Sequence, residues 1–201
     1  MARRVDPFDW SGGHPALDLV NTLDERPSDA PIENLESYNA LVSFTEFAGL
    51  IEASAAARLR SLSGPAFTRI AGRARELREH LYAVLAATYV GELVPQAPLD
   101  AIASAVRCAH AARALSPAGT SEVMVKHRWL STISHEAPLH ACALAIEALL
   151  VSADRSRIRK CDAADCEVYF IDTSKAHRRQ WCSMRNCGNR EKQRRWRSGA
   201  V

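Results

Sequence analysis

Four cysteines near one end of the chain carry the clearest chemistry. Cys161 and Cys166 are separated by four residues, fifteen residues follow, and Cys182 and Cys187 are again four apart. Two close pairs of thiols suit a tetrahedral zinc ion, each pair bending a turn around the metal. Cys161, Cys166, Cys182 and Cys187 are therefore expected to hold one structural Zn²⁺. Four thiolates close the coordination sphere and leave no position for catalysis. The competing readings are four unligated thiols, or a redox dithiol, whose usual motif has two residues between the cysteines. The other cysteines, Cys108 and Cys142, sit at apolar helical positions and read as core.

Basic residues crowd around this constellation. Residues 155–201 hold 13 Lys and Arg against 5 Asp and Glu, a charge of +8, while the rest of the chain carries 13 against 18, or −5. The mild total of +3 over 201 residues thus conceals two parts of opposite sign. The boundaries expected are 1–154 and 155–201. Arg178, Arg179, Arg185, Arg190, Lys192, Arg194, Arg195 and Arg197 are candidate nucleic-acid contacts, because arginine forks match phosphates. The alternative is a solvated surface that balances the charge of a zinc tetrathiolate. Trp181 reads as core of the small module, and Trp196 as either core or a base contact.

These residues need elements to position them. Glu167–Ile171 is β-branched and aromatic and reads as a strand. Asp172-Thr173-Ser174 is turn chemistry, with Arg178–Trp181 as the returning strand. Gly188 is expected at positive φ, and Asn189 to cap a helix over Arg190–Arg197. The order is that of a treble-clef-like zinc ribbon. So short a module buries little core, and the metal would supply folding free energy.

The larger part reads as mainly helical. Pro7–Pro31 is expected to be irregular around the apolar segment Ala16–Leu23. Ser37 caps a helix with Leu41, Phe44 or Thr45, Ala48 and Ile51 on its apolar face. After Gly64-Pro65, apolar residues recur at steps of three and four from Ile70 to Thr88, and Gly91 ends that helix. Another helix starts near Pro98, with Leu99, Ile102, Ala103 and Val106 on one side. Pro117, Gly119 and the alternation over Glu122–Lys126 suggest a small β-hairpin between Arg113 and Leu130. A last helix spans 137–153. The fold class is mainly α with a small β component, in two parts.

The segment Arg178-Arg179-Gln180-Trp181-Cys182-Ser183-Met184-Arg185-Asn186-Cys187-Gly188-Asn189-Arg190 resembles the signature of the CGNR zinc-finger family. Cys161, Cys166 and Phe170-Ile171-Asp172-Thr173-Ser174 fit the same pattern. Gly12-Gly13-His14-Pro15-Ala16-Leu17-Asp18-Leu19-Val20-Asn21-Thr22 resembles the start of the ABATE domain that usually precedes this finger. The resemblance implies a bacterial stress-induced regulator of transcription, with the four cysteines as zinc ligands and the basic residues as DNA contacts. Gln180 departs from the pattern, in which the arginines abut the tryptophan.

For the first part, His14, Asp18, Asn21, Arg128 and Trp129 are candidate lining of a small-molecule pocket. His127 and His135 are further polar candidates. The opposing reading has His14, Asp18 and Asn21 satisfying backbone groups at turns and caps. A His and Asp pair can do acid–base work, but no nucleophile elbow, phosphate loop or second metal motif is present, and no catalytic residue is assigned. The expectation is a cytoplasmic, non-enzymatic regulator that binds DNA through its zinc finger, with the first part sensing an effector or mediating a homodimer. A zinc-stabilised adaptor docking an acidic protein is the alternative, and an enzyme using His14 and Asp18 a more distant one. Met1–Trp10 shows Arg3 and Arg4 without an apolar stretch after them, so no secretory leader or membrane partner is expected. Reduced thiols fit the cytoplasm.

Overall fold

The computed structural model describes residues 6–62, 64–117, 125–130 and 134–199. It is mostly helical with short strands. The chain forms two compact units: residues 35–148 make one, and residues 1–34 together with 149–201 make the other.

In the unit of residues 35–148, helix α2 (Tyr38–Phe47) follows Ser37, whose hydroxyl accepts from the amide of Ala40 as expected. Leu41, Val42, Phe44 and Thr45 are its buried side. A short helix α3 (Ala53–Arg60) was not evident from periodicity, since its run of alanines and arginines has few large apolar markers. Helix α4 (Pro65–Val90) buries Ile70, Ala74, Leu77, Leu81, Val84 and Leu85 and stops at Gly91, whose φ of +77° favours glycine. Helix α5 (Gln96–Ala111) begins two residues before Pro98. Its face is narrower than expected: Ile102 and Ala109 are buried, whereas Leu99 and Cys108 are exposed, which removes Cys108 from the core.

The hairpin is present. Strand β3 (Arg113–Pro117) pairs antiparallel with β4 (Val125–Trp129), in the register Arg113 to Trp129 and Leu115 to His127. Gly119 and the start of the Glu122–Lys126 alternation lie outside the described residues. Helix α6 (Ala137–Val151) buries Leu139, Cys142, Ile146 and Leu149. Among the described residues no helix is long and apolar enough to cross a membrane.

The other unit combines both ends of the chain. Where irregular backbone was expected, helix α1 (Pro15–Val20) forms. His14 caps it, with Nδ1 accepting from the amide of Ala16, and Pro15 occupies the first turn, where a missing N–H costs nothing. A small ladder joins β1 (Leu23–Asp24) to β2 (Ile32–Glu33). After α6 come a 3-10 turn (Ala153–Arg157), β5 (Ile158–Lys160) and β6 (Tyr169–Ile171), then a π-helical turn (Met184–Gly188) that runs into α7 (Asn189–Arg197).

The partner of β6 is β5, upstream of the first cysteine pair, while Arg178–Trp181 forms no strand. The amide of Arg179 instead binds the Asp172 carboxylate, which holds this stretch as a loop. Gly188 has φ of −60°, so positive φ is not its reason. A Cβ there would lie 3.0 Å from Met184 Sδ, a tight contact with the end of a flexible, exposed side chain. Asn189 lies inside a continuous helix, because the π turn supplies the preceding carbonyls; its side chain donates to the carbonyl of Arg185.

Candidate metal centre and nucleic-acid interface

The hairpin of β5 and β6 carries the first cysteine pair at its end. The amide of Cys161 donates to the carbonyl of Val168 at 2.9 Å, extending the ladder by one step, and the amide of Cys166 turns back to Ala163 at 3.0 Å. The second pair is brought to the first by backbone contacts. The amide of Asp162 donates to the carbonyl of Gln180, and the amide of Cys182 to Sγ of Cys161 at 3.4 Å. Ser183 opens the π turn by accepting from the amide of Asn186, and that turn presents Cys187.

All four Sγ atoms lie within 4.8 Å of one another. Cys166 and Cys182 are 3.8 Å apart and Cys182 and Cys187 3.5 Å. Thiolates about 2.3 Å from a zinc ion make a tetrahedron with edges of about 3.8 Å. The four cysteines are free of disulfides, and three are buried. Phe170 and Ala163 pack beneath them, with Val168 and a half-buried Trp181 at the side. The donor set and the spacing fit one structural Zn²⁺.

The thiols resist losing all their protons together. Hydrogen bonds from Cys166 and Cys182 lower the pKa of Cys161. The contact with Cys161 raises those of Cys166 and Cys182, and burial raises that of Cys187. A divalent cation is what lets four thiolates share this volume.

Several basic residues support the centre. Arg179 donates from Nε to the carbonyl of Trp181 at 2.9 Å and from Nη2 to that of Cys182, with its guanidinium 4.2 Å from the Phe170 ring centre. Arg190 donates to Cys187 Sγ at 3.3 Å and to Asp165 at 2.8 Å. Arg194 faces Asp165 and Glu191. Arg178, Arg185, Lys192, Arg195 and Arg197 are exposed and have no ion pair among the described residues. Trp196 is 77% exposed, so it is not core.

Beneath the centre, Asp172 accepts from the amides of Ser174 and Arg179. The Ser174 side chain first, and then these two amides, hold its carboxyl down at about 2 against the opposing effect of burial. Sequence reasoning read Asp172 only as turn chemistry; its role as anchor depends on Arg179 being seven residues away and facing it.

The five pocket candidates are divided. His14, Asp18 and Asn21 belong to the unit containing the cysteines, and Arg128 and Trp129 to the unit of residues 35–148, as do His127 and His135. Asp18 accepts from the amide of Gly12 at 2.9 Å. Burial pushes its carboxyl up to about 7, against the pull of that amide, and Asp9 adds to the rise. Burial lowers the pKa of His14 and favours the neutral ring that accepts from Ala16. Asn21 Nδ2 donates to the carbonyl of Tyr169, and the amide of Tyr169 donates to Asn21 Oδ1. His14, Asp18 and Asn21 thus bind backbone groups.

Residues 157–199 match the family described as "CGNR zinc finger". Residues 13–153 match the ABATE family, described as "Putative stress-induced transcription regulator". Both families are non-catalytic, one a regulatory domain and the other a zinc finger. None of the curated proteins matches the chain. With residues 13–153 and the cysteine centre accounted for in this way, the chain belongs to the ABATE family and carries a C-terminal CGNR zinc finger.

Proposed function

We propose that the protein is a cytoplasmic regulator of transcription whose residues 155–201 bind DNA, while residues 1–154 sense an effector or mediate a homodimer. The finger would be a treble-clef-like module: a cysteine pair at a hairpin end, then a second pair leading into a helix. The observation that carries the DNA reading is the set of exposed cations without ion pairs among the described residues, Arg178, Arg185, Lys192, Arg195 and Arg197, in the same module as the four-cysteine site. Arg179, Arg190 and Arg194 make internal contacts and would serve by holding the module in shape. Exposed Trp196 adds a flat apolar surface among these cations, suited to a sugar or a base.

Titrating the zinc-loaded chain with duplex DNA across a salt series tests this. Binding should weaken steeply with salt, and R195Q should reduce the slope by about one. A chain that binds no DNA at low salt overturns the reading. Preferential binding to acidic proteins would instead favour the adaptor.

A further inference from the structure

The unit of residues 35–148 has a cavity of about 400 Å³ beside Trp129, within the size range of small-molecule sites. Leu50, Ile51, Leu59 and Trp129 give it apolar walls, and Arg58, Lys126 and Arg128 stand on its rim. Those three cations have no ion pair among the described residues. Glu52 is the one acidic side chain on the described wall. A second hollow of about 380 Å³ shares Leu50, His127, Arg128 and Trp129 with the first and adds Arg113. The Nε of Arg113 is buried without an acceptor.

The Trp129 ring packs against His140, the ring centres 5.9 Å apart and the planes tilted by 34°. His140 is itself buried and leaves both ring nitrogens without hydrogen bonds. An indole set against apolar walls accepts a flat ring. Cations without carboxylate partners on the same rim select an anion. A purely apolar ligand would leave them unused, and an inorganic anion would leave the walls wet.

We propose that this cavity binds a small aromatic carboxylate, its ring against Trp129 and its carboxylate toward Arg58, Lys126 and Arg128. This deepens the reading of residues 1–154 as the effector-sensing part and rests on it only for its biological meaning. The ligand itself is recognised without DNA.

The test is calorimetric titration of the zinc-loaded full chain, without nucleic acid, using 2-naphthoate, its neutral amide 2-naphthamide, and inorganic phosphate. Naphthoate should bind saturably at one site, and naphthamide and phosphate at least about tenfold more weakly. R58Q and R128Q should each weaken naphthoate about tenfold and leave naphthamide unchanged. Both arginines are exposed, so thermal melts of the variants should match the parent; K126Q supplies a third variant should either melt early. Equal binding of naphthoate and naphthamide, no saturable binding, or naphthoate affinity unchanged in all three variants would overturn the proposal. So would displacement of naphthoate by a short DNA duplex, which would make the basic rim a nucleic-acid surface. Failure here leaves DNA binding by the finger standing, and failure of DNA binding leaves this site standing.

Discussion

Asn21 and Tyr169 are 148 positions apart in the sequence and exchange two hydrogen bonds. The Asn21 amide donates to the Tyr169 carbonyl at 3.0 Å and accepts from the Tyr169 N–H at 3.1 Å. The side chain thereby takes the place of a neighbouring strand beside β6. Its orientation is settled by having a donor on one side and an acceptor on the other.

Replacing Asn21 should therefore unsettle the finger from a distance. N21A leaves the N–H and C=O of Tyr169 without their partners, at about 1–3 kcal/mol for each buried group. N21D keeps an acceptor but sets an oxygen against a carbonyl. Urea melts of the zinc-loaded chain should show both variants destabilised. Parent-like stability in N21A would mean that water replaces the amide at no cost.

Two glycines should respond differently to alanine. A Cβ at Gly12 would lie 2.6 Å from Asp18 Oδ1, 2.9 Å from Leu17 Cβ and 3.0 Å from the Asp18 amide nitrogen. Backbone and buried atoms there have nowhere to go, so G12A should cost about 1–3 kcal/mol or more. At Gly188 the nearest atoms are Sδ and Cε of Met184, a flexible side chain that is 65% exposed. G188A should cost less than G12A in the same melts, as Met184 swings away.

Asp18 predicts a pH effect with a defined sign. Its folded pKa, pushed up to about 7, lies above its ordinary value of 3.8. Between these values the folded chain holds a proton that the unfolded chain releases. The stability linked to Asp18 is thus fully present below about pH 4 and is lost as pH rises toward 7. His14 acts in the opposite direction, since its pKa is lowered by burial. The informative quantity is the difference between D18N and the parent. Asparagine still offers an acceptor to Gly12, so D18N should gain relative stability from pH 4.5 to 8. A difference that stays flat with pH would remove the raised carboxyl.

The metal centre makes the strongest demand. Metal analysis should find about one zinc per chain, and C161S or C182S should lose both the metal and the folded finger. Arg190 touches a ligand sulfur and is itself held by Asp165. R190Q should weaken zinc binding about 10–100-fold in chelator competition, the usual cost of losing such a supporting contact. R195Q, whose side chain is exposed and has no ion pair, should bind zinc like the parent.

Sequence periodicity revealed α4 almost to the residue, because Gly64-Pro65 and Gly91 mark both ends and the apolar residues keep one face. It missed α1, where six residues are too few to show a period and the capping residue is a histidine. It placed a strand after the first cysteine pair correctly and paired it with the wrong segment. Hairpin logic favours the nearest downstream partner, but β6 folds back across the cysteine pair onto β5.

What the sequence by itself determined was the chemistry of the finger. Four thiols at that spacing are a local property of the chain, and they meet in space as the spacing requires. The uneven distribution of charge was likewise countable without coordinates. Tertiary structure alone decided which charges remain outward. Arg179 and Arg195 are the same residue type, each in a basic run, yet Arg179 lies over Phe170 and holds two knuckle carbonyls, while Arg195 is exposed. It also decided that residues 1–34 join the unit containing the cysteines. Asn21 beside Tyr169 is a long-range contact, and no periodicity along the chain encodes a hydrogen bond between residues so far apart.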